Sequence, residues 1–202
     1  MARLIPGVVR RRYIACFNDD GDSNRLYRND DSLTYTDQTT TAGVADGDSD
    51  GYSVQFADFD NDGDLDIHLG NEYSADRLFQ NTNGVFTDVG AAYGVANTNR
   101  ARGTMWGDVD GDGDLDLYLS NFGAANVLYL NTNRATTTLF VRPVSTQGYT
   151  TMFGATVNLY LSDTSAFVAT RMIDGGSGYA SQNAYDAQFA ALSTDTCYDV
   201  QV

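Results

Sequence analysis

Two nine-residue runs place carboxylates where a metal ion would want them. They are Asp58-Phe59-Asp60-Asn61-Asp62-Gly63-Asp64-Leu65-Asp66 and Asp108-Val109-Asp110-Gly111-Asp112-Gly113-Asp114-Leu115-Asp116. So many carboxylates within nine residues repel one another unless a cation sits among them. Hard divalent cations such as Ca²⁺ take six to eight oxygen ligands. A loop with Asp at positions 1, 3, 5 and 9 can wind around such an ion. The Gly at position 6 supplies a left-handed turn, so that position 7 presents its backbone oxygen. The expected side-chain ligands are Asp58, Asp60, Asp62 and Asp66 in the first ladder and Asp108, Asp110, Asp112 and Asp116 in the second. Asp64 and Asp114 are expected to bind through their carbonyls. A single acidic stretch is more often a solvated loop, but two copies with identical spacing favour two Ca²⁺ sites.

The elements that position these ladders read as strands. An EF-hand would need a Glu at position 12 and flanking helices, and position 12 is Leu69 or Leu119. The residues that follow, Leu65-Asp66-Ile67-His68-Leu69 and Leu115-Asp116-Leu117-Tyr118-Leu119, alternate with period two, the mark of a half-buried β-strand. Short strands are also expected before each ladder, at Val54–Ala57 and Gly103–Gly107.

The similarity extends past the ladders. Asp58 and Asp108 are 50 residues apart (108 − 58), as are Leu78 and Leu128 (128 − 78). Arg77-Leu78-Phe79-Gln80-Asn81 matches Val127-Leu128-Tyr129-Leu130-Asn131, and an earlier copy stands at Arg25-Leu26-Tyr27-Arg28-Asn29. Asn83-Gly84 between apolar residues signals a hairpin. Tyr93-Gly94-Val95 and Ala42-Gly43-Val44 each close a unit. A period near 50 with about four strands suits a propeller blade.

These loops, Asp-x-Asp-x-Asp-Gly-x-x-Asp ahead of Leu-Asp-Ile or Leu-Asp-Leu, resemble FG-GAP/VCBS repeats, the blades of integrin-α-type β-propellers. The resemblance covers residues 13–133 and implies structural calcium on the blade edge. In the first copy, Tyr13–Cys16 resembles the strand that should follow a ladder, but the ladder is absent. Asn18-Asp19-Asp20-Gly21-Asp22 reads as a solvated turn. Asp46-Gly47-Asp48-Ser49-Asp50-Gly51 comes closer to a site, but its position 9 is Val54.

Residues 1–12 read as an N-terminal arm and residues 134–138 as a polar linker. Residues 139–202 carry a different β pattern, with strands expected at Leu139–Arg142, Ala155–Leu161, Phe167–Met172 and Tyr198–Val202. Gly154-Ala155-x-Val157, the Gly-Ser-Gly-Tyr-x-Ser-Gln run ending at Gln182, and Gln188-Phe189 resemble the ASPIC/UnbV domain, which commonly follows VCBS repeats in extracellular proteins. The chain ends about where that domain's last strand would come. The glycine-rich run Gly175–Gly178 lacks the Lys and following helix of a phosphate loop and reads as a turn. The expected fold is all-β: propeller-blade-like calcium-binding repeats forming an incomplete propeller, then a small β-sandwich-like domain.

The 202 residues carry a formal net charge of −15. Asp supplies nearly all the acid; Glu72 is the only Glu, and there is no Lys. Short Asp suits ion loops and turns, whereas Glu and Lys furnish helix surfaces. So acidic a surface argues against nucleic acid and anionic membranes as partners, and no stretch is long and apolar enough to span a membrane. Residues 1–12 lack the apolar run of a signal peptide. No Asn-x-Ser/Thr sequon is present; Thr39–Thr41 and Thr136–Thr138 stand as sites for Ser/Thr-linked sugars. Cys16 and Cys197 fit equally a disulfide or two small apolar residues.

Function follows as an expectation. A closed propeller uses about four to eight blades, more than this chain supplies. Unclosed sheets expose edges that pair with other chains. The leading expectation is an extracellular, calcium-stabilised structural or cell-adhesion protein without catalytic residues, self-associating as a homo-oligomer or filament. The alternative is a module of a larger secreted protein that binds a glycan or an extracellular protein. A glycosidase-type enzyme is the least favoured reading: the clustered Asp are claimed by the ladders, and His68, the only His, is expected off the core face in a surface or packing role.

Overall fold

A computed structural model describes residues 12–16, 24–30, 34–47, 50–133, 137–150, 152–176 and 179–202. Among them the chain is all-β, built from small antiparallel sheets, none closed into a ring. The expected turn at 18–22, most of the linker and most of the N-terminal arm lie outside the described residues, as do Asp48 and Ser49 of the run at 46–51.

Three sheets follow the repeat. The first holds β1 (Arg12–Cys16), β2 (Arg25–Asn29) and β3 (Tyr35–Asp37). A short helix, α1 (Thr39–Ala42), leads to the second. That sheet is four-stranded: β4 (Gly51–Ala57), β5 (Asp66–Asn71), β6 (Arg77–Thr82) and β7 (Val85–Asp88), paired in chain order. The third holds β8 (Ala101–Gly107), β9 (Asp116–Asn121) and β10 (Val127–Tyr129). Each ladder is thus the loop between the first two strands of its unit. The β6–β7 hairpin turns at Asn83 and Gly84, with φ of 56° and 90°, the left-handed pair that an Asn-Gly turn supplies.

The repeat is also visible in small details. Register slips fall between Gly51 and Ser53 in one sheet and between Ala101 and Gly103 in the next, 50 residues on. Arg25 pairs with Asp37 as Arg77 pairs with Asp88. Asp37 Oδ1 accepts the Thr39 N–H and hydroxyl, and Asp88 Oδ1 accepts the Gly90 N–H. Thr39 is buried, its hydroxyl oxygen also accepting the Leu26 N–H, so it is not a free acceptor for a sugar.

The sheets stack face to face. Leu26, Val44, Val54, Leu69 and Phe79 form one core between the first and second. Ala57, Phe59, Leu78, Trp106 and Leu119 form another between the second and third. With a core on each side, every residue of β5 is buried, not alternate ones as its sequence predicts. His68 departs from its expected place for that reason. It is fully buried, 3.3 Å from the Thr104 hydroxyl and edge-on to Trp106, and burial lowers its pKa to about 3, so it is neutral.

Two smaller sheets complete the described chain: β11 (Leu139–Val141) with β14 (Ala187–Phe189), and β12 (Thr156–Leu161) between β13 (Phe167–Met172) and β15 (Tyr198–Gln201). They share one core of Val157, Leu159, Ile173, Ala187 and Phe189. The segment before β14 docks on β8: the Trp106 carbonyl accepts the Ala184 N–H at 2.9 Å, and Asn183 Oδ1 accepts the Trp106 N–H at 3.0 Å. Cys197 is an exposed free thiol; the side chain of Cys16 lies outside the described residues.

Candidate metal centres

Each ladder winds by a series of turns in which a carboxylate accepts an amide N–H further along the loop. Asp60 Oδ1 accepts the Asp62 N–H at 3.3 Å and Asp62 Oδ1 the Asp64 N–H at 2.8 Å. The second loop repeats this with Asp110 to Asp112 N–H at 3.2 Å and Asp112 to Asp114 N–H at 3.0 Å. Asp58 and Asp108 each accept the N–H of the position-6 glycine at 3.1 Å. Gly63 and Gly113 hold φ of 95° and 98°, where a side chain would be strained.

The last Asp of each loop is both a loop member and a pin. Asp66 accepts the N–H of Phe59 at 2.9 Å and of Asn81 at 2.7 Å. Asp116 accepts those of Val109 and Asn131, each at 2.8 Å. Asn81 and Asn131 return the favour by donating to the carbonyls of Leu65 and Leu115. These asparagines stand at matching repeat positions, so the repeat itself marked them, though not their task.

The winding brings three carboxylates together in each loop. One oxygen each from Asp58, Asp60 and Asp66 lies within 4.8 Å of the others, as does one each from Asp108, Asp110 and Asp116. Asp62 and Asp112 lie outside these groups, their Oδ1 atoms turned to the next amide. Asp64 also turns away, accepting the Asn83 N–H at 2.9 Å. Asp114 is fully buried and accepts from Asn61 Nδ2 at 2.9 Å, which ties the two ladders together.

Burial dominates the electrostatics of the first ladder. It pushes the Asp58 carboxyl up to about 7, against the pull of Arg171 and with a further push from Asp62 and Asp60. Burial pushes Asp66 up to about 8, against its two amide bonds. Asp62 and Asp110 are raised as well, desolvation coming first in each case. Asp58 Oδ1 is buried with no hydrogen-bond partner. A partnerless buried carboxylate oxygen is costly, and beside two further carboxylates it fits a hard cation with oxygen ligands.

Two contacts of the first ladder had no local signal in the sequence. Gln80 donates to Asp60 Oδ2; Leu130 stands at the matching position of the next repeat, so Asp110 lacks that donor. Arg171, on β13, reaches the loop from the C-terminal sheets, its Nη2 3.1 Å from the Gly63 carbonyl and 3.6 Å from Asp58 Oδ2.

Residues 58–119 match the family model of the FG-GAP-like repeat. The matched stretch opens on the first residue of the first ladder and takes in the whole of the second, so the resemblance rests on the loops just described. It does not extend into residues 139–202, where the ASPIC/UnbV resemblance was read. No curated protein matches the chain.

Proposed function

We propose that the protein is an extracellular, non-enzymatic structural or adhesion module in which each ladder holds one structural Ca²⁺. The observation that carries this reading is the carboxylate-to-amide pattern that the two loops share, each bringing three carboxylates together. FG-GAP repeats are typical of extracellular proteins, which accords with the match over both loops. Asp58, Asp60 and Asp66, and Asp108, Asp110 and Asp116, would hold the ions, with Asp62 and Asp112 swinging in and the carbonyls of Asp64 and Asp114 completing each shell. The ion would neutralise carboxylates that otherwise repel, and so close each loop over the strands it joins. At calcium ten times the dissociation constant each site adds about 1.4 kcal/mol. EDTA should lower the melting temperature, and Asp60→Ala or Asp110→Ala should each remove part of the calcium response. A melting curve indifferent to both would overturn the reading.

Self-association belongs to the same proposal. Among the described residues the third sheet has three strands where the second has four, and Leu128 in its edge strand β10 and Leu130 just after it are 47% and 54% exposed. An open edge with apolar side chains favours pairing with another strand, and a head-to-tail contact would give a ring or a filament. Size-exclusion chromatography with negative-stain microscopy in calcium tests this; a monodisperse monomer would refute it.

A second reading, a glycan- or protein-binding module, is favoured by one surface. Arg102 lies between the rings of Tyr52 and Phe122, and Arg100 between those of Phe122 and Tyr73, with the buried Glu72 carboxylate tying both guanidinium groups. Tyr73 and Phe122 are well exposed. Exposed rings beside cations suit sugar faces and acidic groups. A glycan array comparing the protein with a Tyr73→Ala variant tests it.

A further inference from the structure

Arg171 is out of place on ordinary expectations. It is a largely buried arginine, its side chain 11% exposed, pointing into a loop that the proposed function assigns to a cation. Its β13 backbone pairs with β12 at Val157. Its guanidinium lies over the Phe189 ring of β14 at 5.4 Å. Nη1 donates to the Thr170 carbonyl and Nη2 to the Gly63 carbonyl. A second bond between the same bodies runs from Gln188 Nε2 to Asn61 Oδ1 at 2.9 Å. The C-terminal sheets therefore grip the first ladder through β13 and β14. Among the described residues, no ion pair reaches Asp108, Asp110, Asp112 or Asp116.

The grip divides one carboxylate. Asp58 Oδ2 faces Arg171 and the Gly63 N–H, while Asp58 Oδ1 has no partner. A divalent ion taken up by Oδ1 with Asp60 and Asp66 would share that carboxylate with the guanidinium. Two positive charges on one buried carboxylate oppose each other, because little solvent lies between them to screen the repulsion. Without an ion, the same arginine offsets the repulsion that Asp60 and Asp62 exert on Asp58.

We propose that Arg171 sets ion binding in the first ladder against the seating of the C-terminal sheets, so that Ca²⁺ in that loop loosens β13 and β14 from it. Linkage makes the effect reciprocal: seated sheets weaken the site by the factor by which the ion weakens the seating. The inference rests on the ladders being calcium loops, and it gives them different jobs. The second is a plain tie; the first reports calcium to the C-terminal sheets.

The test is calorimetric calcium titration in an Asp110→Ala background, which leaves the first ladder alone, with Arg171, Arg171→Lys and Arg171→Gln compared. Arg171→Gln should bind about tenfold more tightly, and Arg171→Lys, which keeps the charge, should stay within about threefold of the parent. Hydrogen exchange on the unmutated chain is the second readout, and it does not depend on the variants folding. Added calcium should speed exchange in 167–172 and 187–189 while slowing it in 58–66. Equal calcium affinity in Arg171→Gln and its parent, or exchange in β13 and β14 that slows or stays constant as calcium binds, overturns the proposal alone. No calcium binding by any of the proteins overturns the reading of the ladders and this proposal with it.

Discussion

The two ladders share a motif and differ in their surroundings. Position 2 shows it: Phe59 is 5% exposed and packs edge-on against Tyr93, whereas Val109 is 58% exposed. Asp60 of the first loop is bonded to Gln80, and the Phe59 and Asp60 carbonyls accept from Asn131 and Asn133. The second loop presents Val109, Asp110, Gly111 and Asp112 to solvent. The carboxylate-to-amide bonds nevertheless repeat, with one addition in the second loop: Asp108 Oδ1 accepts the Gly111 N–H at 2.7 Å, where Asp58 Oδ1 accepts none. Loop conformation is therefore a local property of nine residues, while the electrostatic setting of the loop belongs to what packs on it.

The largest expected effect checks the shared half of that comparison. Asp66→Ala leaves the buried N–H groups of Phe59 and Asn81 without an acceptor, which should cost about 3 kcal/mol by urea denaturation in EDTA. Asp116→Ala breaks the matching bonds and should cost about as much. A gap of more than about 2 kcal/mol between them would show that the pins are not equivalent.

The next effect separates the loops. The folded-state pKa values of Asp58 and Asp66, about 7 and about 8, stand above those of the unfolded chain. The native state then holds more protons between the two ranges, so stability falls as pH rises. For the calcium-free protein the stabilisation is complete below about pH 4 and is lost as pH passes 7 to 8. Asp58→Asn should flatten part of the profile in thermal melts. An unchanged slope would mean that the carboxyl is better solvated than its burial implies.

Calcium comes next, at about 1.4 kcal/mol per site at ten times the dissociation constant. Asp60→Ala and Asp110→Ala should each reduce the calcium-induced rise in melting temperature, and the double variant should abolish it. The smallest effect belongs to the rim of the first loop. Gln188→Ala removes one hydrogen bond from the C-terminal sheets, at about 1 kcal/mol, and should leave calcium binding at the second ladder unchanged.

Much of the fold was legible because its signals are short-range. Alternation marked β5 and β9, Asn83-Gly84 marked the hairpin, and β13 spans the expected Phe167–Met172. Helix α1 was not foreseen; Thr39-Thr40-Thr41-Ala42 has no strong helical signal, and the turn is held by Asp37 ahead of it and Gly43, at φ 85°, behind. His68 was misplaced because alternation reports which residues share a face, not whether the second face meets another sheet.

By itself the sequence determined the ladders, their strand–loop–strand setting and the 50-residue repeat, since carboxylate-to-amide turns and glycine φ angles act within a few residues. Only the tertiary structure decided that Asn61 reaches Asp114, that both faces of β5 are buried, and that Arg171 meets Asp58. Those contacts join residues far apart in the chain, and no local spacing encodes them. They arise because stacked sheets bury apolar faces and bring along whatever polar groups stand at the rims.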